Sequence, residues 1–351
     1  MEPVAVGIVG CGVIGSVHVD VASKLDTVKV VAVADLRQDR ARAAADQYGI
    51  GTVHPDGDSL IDDPQVEAVI LALPANQRTY MGLRAFARGK HVLTEKPVAM
   101  NADEVRRLIA AKGNLVGACC SSRYAFSEAT RVAKEFVASG ALGQLRLIRC
   151  RSVNCPGKRV EGERPYWRVS QSSNAGGILV NWGSYDLDYL MNLTGWSLRP
   201  VAALGALWPA GPRYQWFVAP GSDAETHVTA LVTFEQGVAL AYERGDAVAG
   251  SHDETWEIVG DCGTVHLKMT SGSGKRLTWD QADTEQGLTS HVLWEGDDDG
   301  STVHSGPVDD FAKAIRQGRP PQTGLEQALL VQRICDAIYR SASTGTAAPV
   351  V

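Results

Sequence analysis

The feature that most narrows the fold is the stretch from Val4 to Gly15. An apolar run, Val4–Val9, passes directly into Gly10-Cys11-Gly12-Val13-Ile14-Gly15, and a helix-like segment, Val13–Leu25, follows. Between a strand and a helix, the first glycine permits a tight turn and the second lets a pyrophosphate approach the backbone. The third lets helix and strand pack closely. The helix N-terminus then faces the anion. Asp35 ends the next β-branched run, Val28–Ala34, about 20 residues beyond the last glycine, where a carboxylate meets the adenosine ribose. The expected dinucleotide site comprises Gly10, Gly12, Val13, Ile14, Gly15, Asp35, Leu36 and Arg37. The negative charge of Asp35 would repel a 2′-phosphate, which favours NAD over NADP. Arg37 is the argument on the other side, since a guanidinium can neutralise a phosphate.

Strand-like and helix-like segments continue to alternate. Ala41–Tyr48 reads as a helix, Ala68–Leu73 as a buried strand before Pro74, Met81–Arg88 as a helix and His91–Thr94 as a strand. Continuous apolar strands alternating with helices predict a parallel sheet covered on both faces. Asn101 and Glu104 form a capping box ahead of another helix. Leu115–Cys120 is the last short apolar run, and the first domain is expected to span 1–122. Helix Ser127–Ser139 then stops at Gly140.

Beyond it the pattern becomes strand after strand: Leu145–Val153, Val201–Leu207, His227–Phe234, Val238–Glu243, Thr255–Val259, Thr264–Met269, Leu277–Asp280 and His291–Trp294. Tight turns between them predict antiparallel pairing. Helix Asn181–Leu193 interrupts this region, and Val308–Arg316 and Leu325–Tyr339 close the chain. The expected fold is α/β. It joins an N-terminal Rossmann doubly wound parallel sheet to a C-terminal α+β domain, 123–351, with a large, mostly antiparallel open sheet. The helices at 308–340 are in reach of the first domain.

Composition removes several classes of function. A length of 351 residues exceeds what one core serves, so two domains are expected. A net charge of −6 and the lack of a Lys/Arg run argue against nucleic acid as a partner. No apolar stretch approaches the roughly 18 residues of a membrane span. No basic segment precedes the first apolar run as in a signal peptide. The seven cysteines are odd in number and form no C-x-x-C pair, which predicts free thiols, a cytoplasmic location and no zinc site. Asp297-Asp298-Asp299 reads as a solvated turn, because three successive side chains do not converge on one ion.

The candidate chemistry lies in Glu95-Lys96-Pro97, at the end of the strand His91–Thr94. Ligands of open α/β sheets sit outside the carboxyl ends of the strands. Lys96 is therefore expected near the nicotinamide end of the cofactor, beside Glu95, Leu73, Pro74 and Asn76. The Lys-Pro bond is a candidate cis bond. The tripeptide alone favours a surface lysine before a loop. The segment 154–175 is long, polar and aromatic, and suits a sugar or polyol ring.

Along nearly its whole length the chain resembles the glucose–fructose oxidoreductase/inositol dehydrogenase (Gfo/Idh/MocA) family. The resemblance rests on the glycine fingerprint, Asp35, Glu95-Lys96-Pro97 and Arg123-Tyr124. It continues through Gly176-Gly177-Ile178-Leu179-Val180-Asn181-Trp182-Gly183-Ser184-Tyr185-Asp186-Leu187-Asp188 and the closing segment from Asp309-Asp310-Phe311 to Gly345. It implies that Lys96, Tyr185 and Asn181 are catalytic. It also implies that Arg123, Tyr124, Trp167 and Arg168, with Asn181 and Tyr185, border the substrate. The chain departs from the family pattern in three places. Asn181 replaces the commoner Asp, Tyr185 the commoner His, and Pro74-Ala75-Asn76-Gln77-Arg78 stands where the family usually has P-N-x-x-H.

A phenol with a pKa of about 10 needs help to act as a base, and the Lys96 ammonium is expected to supply it. Asn181, four residues before Tyr185, shares its helical face. His18, Trp182, Asp186 and Asp188 are read as structural or supporting residues. The expectation is an NAD-dependent oxidoreductase acting on a secondary hydroxyl of a sugar, sugar derivative or cyclitol, as a homodimer or homotetramer. The alternatives are a glycoside hydrolase that uses bound NAD transiently and a non-catalytic NAD-binding regulator.

Overall fold

The computed structural model describes residues 2–159, 161–162 and 170–351. These form two compact units, Met1–Arg123 with Ser301–Leu329 (unit 1) and Tyr124–Gly300 with Leu330–Val351 (unit 2).

Unit 1 contains strands β1 (Val4–Val9), β2 (Val28–Ala34), β3 (Thr52–His54), β4 (Ala68–Leu71), β5 (His91–Thr94) and β6 (Gly117–Cys119). Its first helices are α1 (Val13–Ala22), α2 (Gln38–Tyr48), α3 (Gly57–Asp62), α4 (Ala75–Ala87) and α5 (Ala102–Lys112). The sheet order is β3-β2-β1-β4-β5-β6, and every neighbouring pair is parallel. The strand order reverses between β1 and β4, which opens a crevice at their carboxyl ends. Ala68 and Ile70 of β4 join one core with Val19 and Ala22 of α1. Val69 and Leu71 join a second with Ile61, Phe86, Val105 and Leu108. Neither face is wet, which is why these strands read as unbroken apolar runs rather than alternating ones. The capping box forms with one difference. Asn101 accepts from the Glu104 amide (3.0 Å), while the Glu104 carboxylate reaches the Met100 amide (3.1 Å) and the Thr79 hydroxyl (2.6 Å).

Unit 2 is a nine-stranded sheet ordered β14-β13-β12-β11-β7-β10-β9-β8-β15. Its strands are β7 (Leu145–Val153), β8 (Pro200–Trp208), β9 (His227–Phe234), β10 (Ala239–Gly245), β11 (Asp253–Gly260), β12 (Gly263–Leu267), β13 (Gly272–Asp283), β14 (Gly287–Asp298) and β15 (Ala348–Pro349). Within this sheet, only the β7–β10 pair is parallel among the described residues. Helices α6 (Glu128–Ala138), α7 (Gln171–Asn174) and α8 (Ser184–Leu193) belong to this unit. Leu187, Leu190 and Met191 of α8 pack in one core with Ile148, Cys150, Val232, Leu240, Trp256 and Ile258 from the sheet. Residues alternating with these carry ion pairs such as Arg149–Glu257 and Arg151–Glu243. Toward β8 and β9 that outer face turns apolar, at Leu204 and Leu231.

The chain closes with α9 (Thr302–Gln317) and α10 (Leu325–Thr344). Val308, Phe311 and Ala312 of α9 complete the α1 side of unit 1. The start of α10 belongs to unit 1 and the remainder to the unit 2 core. The triple aspartate is not a simple solvated turn. Asp298 ends β14 and pairs with the buried Lys275 ammonium at 2.8 Å. All seven cysteines are free thiols. Among the described residues, no helix is long and apolar enough to cross a membrane.

Candidate functional site

At the end of β1 the three glycines face three different surroundings. Gly10 has φ +95°, and a Cβ there would lie 2.5 Å from the Ala72 carbonyl oxygen. A Cβ on Gly15 would lie 1.8 Å from the Gly10 carbonyl oxygen, so α1 starts in contact with the loop. Gly12 differs, because its Cβ would meet nothing nearer than an Arg40 nitrogen at 3.8 Å. The second glycine thus faces open space at the N-terminus of α1, which no side chain caps. That cradle fits a pyrophosphate.

Asp35 stands beside it. Its Oδ2 accepts from the Cys11 amide and its Oδ1 from the Arg37 amide, both at 2.7 Å. The carboxylate therefore ties the glycine loop to the end of β2. Arg37 itself pairs with Asp39 at 2.9 Å, and Leu36 is exposed. Leu73 and Pro74 are half-buried after β4, and Asn76 is exposed at the start of α4.

At the end of β5 the Lys96-Pro97 bond is cis. Glu95 is buried, and its Oε1 accepts from His18 Nε2 at 2.8 Å and from the Arg123 guanidinium. Burial alone would raise this carboxyl, but Arg123 and His18 hold it well below the usual range. Two residues expected at the ligands, Glu95 and Arg123, thus engage each other inside unit 1. His18, read from the sequence as a packing residue, is their third member. Cys120 Sγ lies 4.0 Å from His18 Nε2. The donor atoms of His18, Glu95 and Cys120 fall within 4.8 Å of one another. The set suits a cation poorly, because Arg123 already occupies the carboxylate and burial pushes the thiol well above its ordinary value.

Lys96 is half-buried. Desolvation brings its ammonium down to about 7. The guanidinium groups of Arg123 and Arg78 push the same way, against Glu95. Arg78 was unassigned by the sequence reading. It is buried on α4 and donates to the carbonyls of Leu73 (2.8 Å), Glu95 (3.0 Å) and Pro97.

In unit 2 the helix expected over Asn181–Leu193 begins as a π-helical turn, Leu179–Gly183, and continues as α8. Widened turns of this kind recur at functional sites. Asn181 and Trp182 lie on that turn, half-buried, with Tyr185 buried in the first turn of α8. Tyr185 sits edge-on between Tyr124 (5.6 Å between centroids) and Trp182 (5.7 Å). The Arg244 guanidinium covers the Trp182 ring at 4.5 Å. Arg244 also pairs with Asp186, which accepts further from Tyr242 (3.1 Å) and Trp256 (3.3 Å). Burial raises the Asp186 carboxyl against these partners.

A second residue the sequence reading missed is Glu225, buried just before β9. Its carboxylate accepts from the amides of Gly177 (2.9 Å) and Leu179 (3.0 Å) and from the Tyr339 hydroxyl (2.9 Å). A Cβ on Gly177 would lie 1.9 Å from the Glu225 carbonyl oxygen, and one on Gly176 1.9 Å from the Tyr339 hydroxyl. Glu225 thus clamps the glycine pair that launches the π-turn. Trp167 and Arg168 lie outside the described residues.

Comparison with known proteins agrees with this architecture. Residues 4–116 match the model described as "Oxidoreductase family, NAD-binding Rossmann fold". Residues 130–266 match that of the GFO/IDH/MocA C-terminal domain. The chain is 24% identical to a myo-inositol 2-dehydrogenase of Thermotoga maritima, over 90% of this chain and 89% of that protein. It is 26% identical to the D-glucoside 3-dehydrogenase of Escherichia coli K12, over 98% and 97%. Its fold is similar to that of levoglucosan dehydrogenase in complex with NADH and L-sorbose, with TM-score 0.85, 22% identity and full coverage of both chains.

Proposed function

The chain belongs to the GFO/IDH/MocA family of oxidoreductases and carries that family's NAD-binding Rossmann domain. On that premise we propose that it is an NAD-dependent dehydrogenase of a sugar, sugar derivative or cyclitol. It oxidises a secondary hydroxyl or, in reverse, reduces the matching ketone. The observation that carries the reading is Lys96, an amine brought to about 7 at the carboxyl end of β5. A group poised there can accept and return a proton at neutral pH.

In this reading Gly10, Gly12, Val13, Ile14 and Gly15 hold the pyrophosphate at the α1 N-terminus. Asp35, flanked by Leu36 and Arg37, receives the adenosine ribose and selects NAD over NADP, while Leu73, Pro74, Asn76, Glu95 and Lys96 border the nicotinamide end. NAD, when bound, supplies the hydride acceptor. Lys96 takes the hydroxyl proton, Asn181 donates to or accepts from the substrate oxygen, and the Tyr185 phenol completes the proton-transfer pair. Tyr124, Arg123, Trp167 and Arg168 border the substrate. Asn181 holds no charge, so it orients without taking the proton.

The relatives named for dehydrogenation of myo-inositol and D-glucosides support the substrate class. The test is a panel of inositols, sugars and sugar acids, each with NAD and NADP separately. NADH formation from at least one cyclic polyol, faster than with NADP, is expected. The absence of reduction with every member would remove the proposal.

A homodimer or homotetramer is part of the same reading. Leu204 and Leu231 are direct partners across β8 and β9 on the outer face of the sheet, 50% and 45% exposed. A half-apolar open face of this kind is normally covered by a second subunit.

A further inference from the structure

Arg78 occupies the place where the resembling family commonly carries histidine, and a guanidinium is larger, permanently charged and built to bridge several acceptors. Here it is buried at 4% exposure. Its Nε donates to the Leu73 carbonyl at the end of the β4 loop, and its Nη1 donates to the carbonyls of Glu95 and Pro97. Those last two residues bracket Lys96. The fork therefore pins the backbone on both sides of the lysine, and joins it to the loop expected at the nicotinamide end of the cofactor.

Resting on the dehydrogenase reading, we infer that Arg78 is a positioning residue for Lys96. It fixes the Glu95–Pro97 turn and adds a permanent cation to the surroundings of the amine, which favours the uncharged base. A histidine in the same place makes at most one or two such bonds and is largely uncharged above its own pKa of about 6.5. Arginine in place of histidine thus trades a titratable neighbour for a fixed positive one. The direction of the effect is set by elementary electrostatics: a nearby cation disfavours an ammonium. In unit 1 the ionisable groups acting on Lys96 are Glu95, which opposes this effect, Arg123, which adds to it, and Cys119. Desolvation is the largest influence, and Arg123 and Arg78 are the cations that add to it against Glu95, which is itself engaged by His18 and Arg123.

The test compares Arg78→Gln and Arg78→His with the wild-type chain. The pKa of Lys96 is read by competitive acetylation with acetic anhydride and mass spectrometry of the Lys96 peptide from pH 5 to 11. The expected result is a labelling midpoint near 7 in the wild type, moved up by about one pH unit in both variants above pH 7. The ascending limb of kcat for alcohol oxidation should move by the same amount, while the NAD dissociation constant stays within about twofold. A residue that merely stabilised the fold would lower the melting temperature and leave the midpoint in place. Unchanged midpoints in both variants would overturn the inference. If Arg78→Gln does not fold, Arg78→His decides alone. Labelling needs no turnover, so a wild-type chain that oxidises nothing in the panel would remove the dehydrogenase reading and leave this result standing.

Discussion

Lys96 is poised for proton chemistry differently from what its side-chain type suggests. A lysine of ordinary pKa would stay charged and serve only to lower the phenol, which is the role the sequence predicts for it. With its own pKa brought to about 7, the amine can itself accept a proton at neutral pH. The same shift has a consequence for stability. In the unfolded chain Lys96 keeps its ordinary affinity for protons, so between about pH 7 and the usual lysine range the unfolded state binds more protons. Folding stability therefore rises with pH across that window, and the desolvated ammonium is a full burden below it. Glu95 gives a slope of the same sign at lower pH, because its carboxyl is held well below normal by Arg123 and His18. Its contribution is present above the ordinary carboxylate pKa and is lost as pH falls through the depressed value.

Among elements, the π-turn and its clamp matter most. Gly176 and Gly177 leave room for the Tyr339 hydroxyl and the Glu225 backbone, and the Glu225 carboxylate takes two amides that would otherwise be buried without acceptors. In Glu225→Gln one of those amides faces an NH₂ group. A buried donor left unpaired costs about 1–3 kcal/mol. We expect kcat/KM for the polyol to fall at least ~10-fold, the equivalent of about 1.4 kcal/mol. The Gly177–Tyr185 amides should also exchange faster with deuterium, while KM for NAD is unchanged. Wild-type exchange and turnover would show that the clamp positions nothing.

Legibility follows from locality. The glycine loop, Asp35 and the apolar strands of unit 1 are written in contiguous residues, and so is the Asn101 cap. Strand β3 and helix α3 escaped because three and six residues carry no readable period. Glu225, Arg78 and the His18–Glu95–Arg123 contact escaped for another reason. Each joins positions far apart in sequence, and a lone buried charge looks the same in a sequence as an exposed one. Only the departure of Arg78 from the family pattern offered a signal.

At the scale of the whole molecule, two predictions remain. The first concerns assembly. Placing charges at Leu204 and Leu231 together, as Leu204→Glu/Leu231→Glu, should convert the assembly to monomers by light scattering, with the melting curve of the protomer retained. A wild-type chain that is already monomeric would remove the expectation. The second concerns the central claim, that an amine from unit 1 takes the proton of the alcohol being oxidised. Its most direct measurement is kcat/KM against pH for the best panel substrate, in wild type, Lys96→Ala and Tyr185→Phe, with NAD binding followed separately. The account predicts a wild-type rate that climbs through about pH 7. It predicts losses of at least ~100-fold in both variants with NAD binding intact, and no such climb in Lys96→Ala. A variant without Lys96 that still turns over at near wild-type rates, with the same ascending limb, would contradict it.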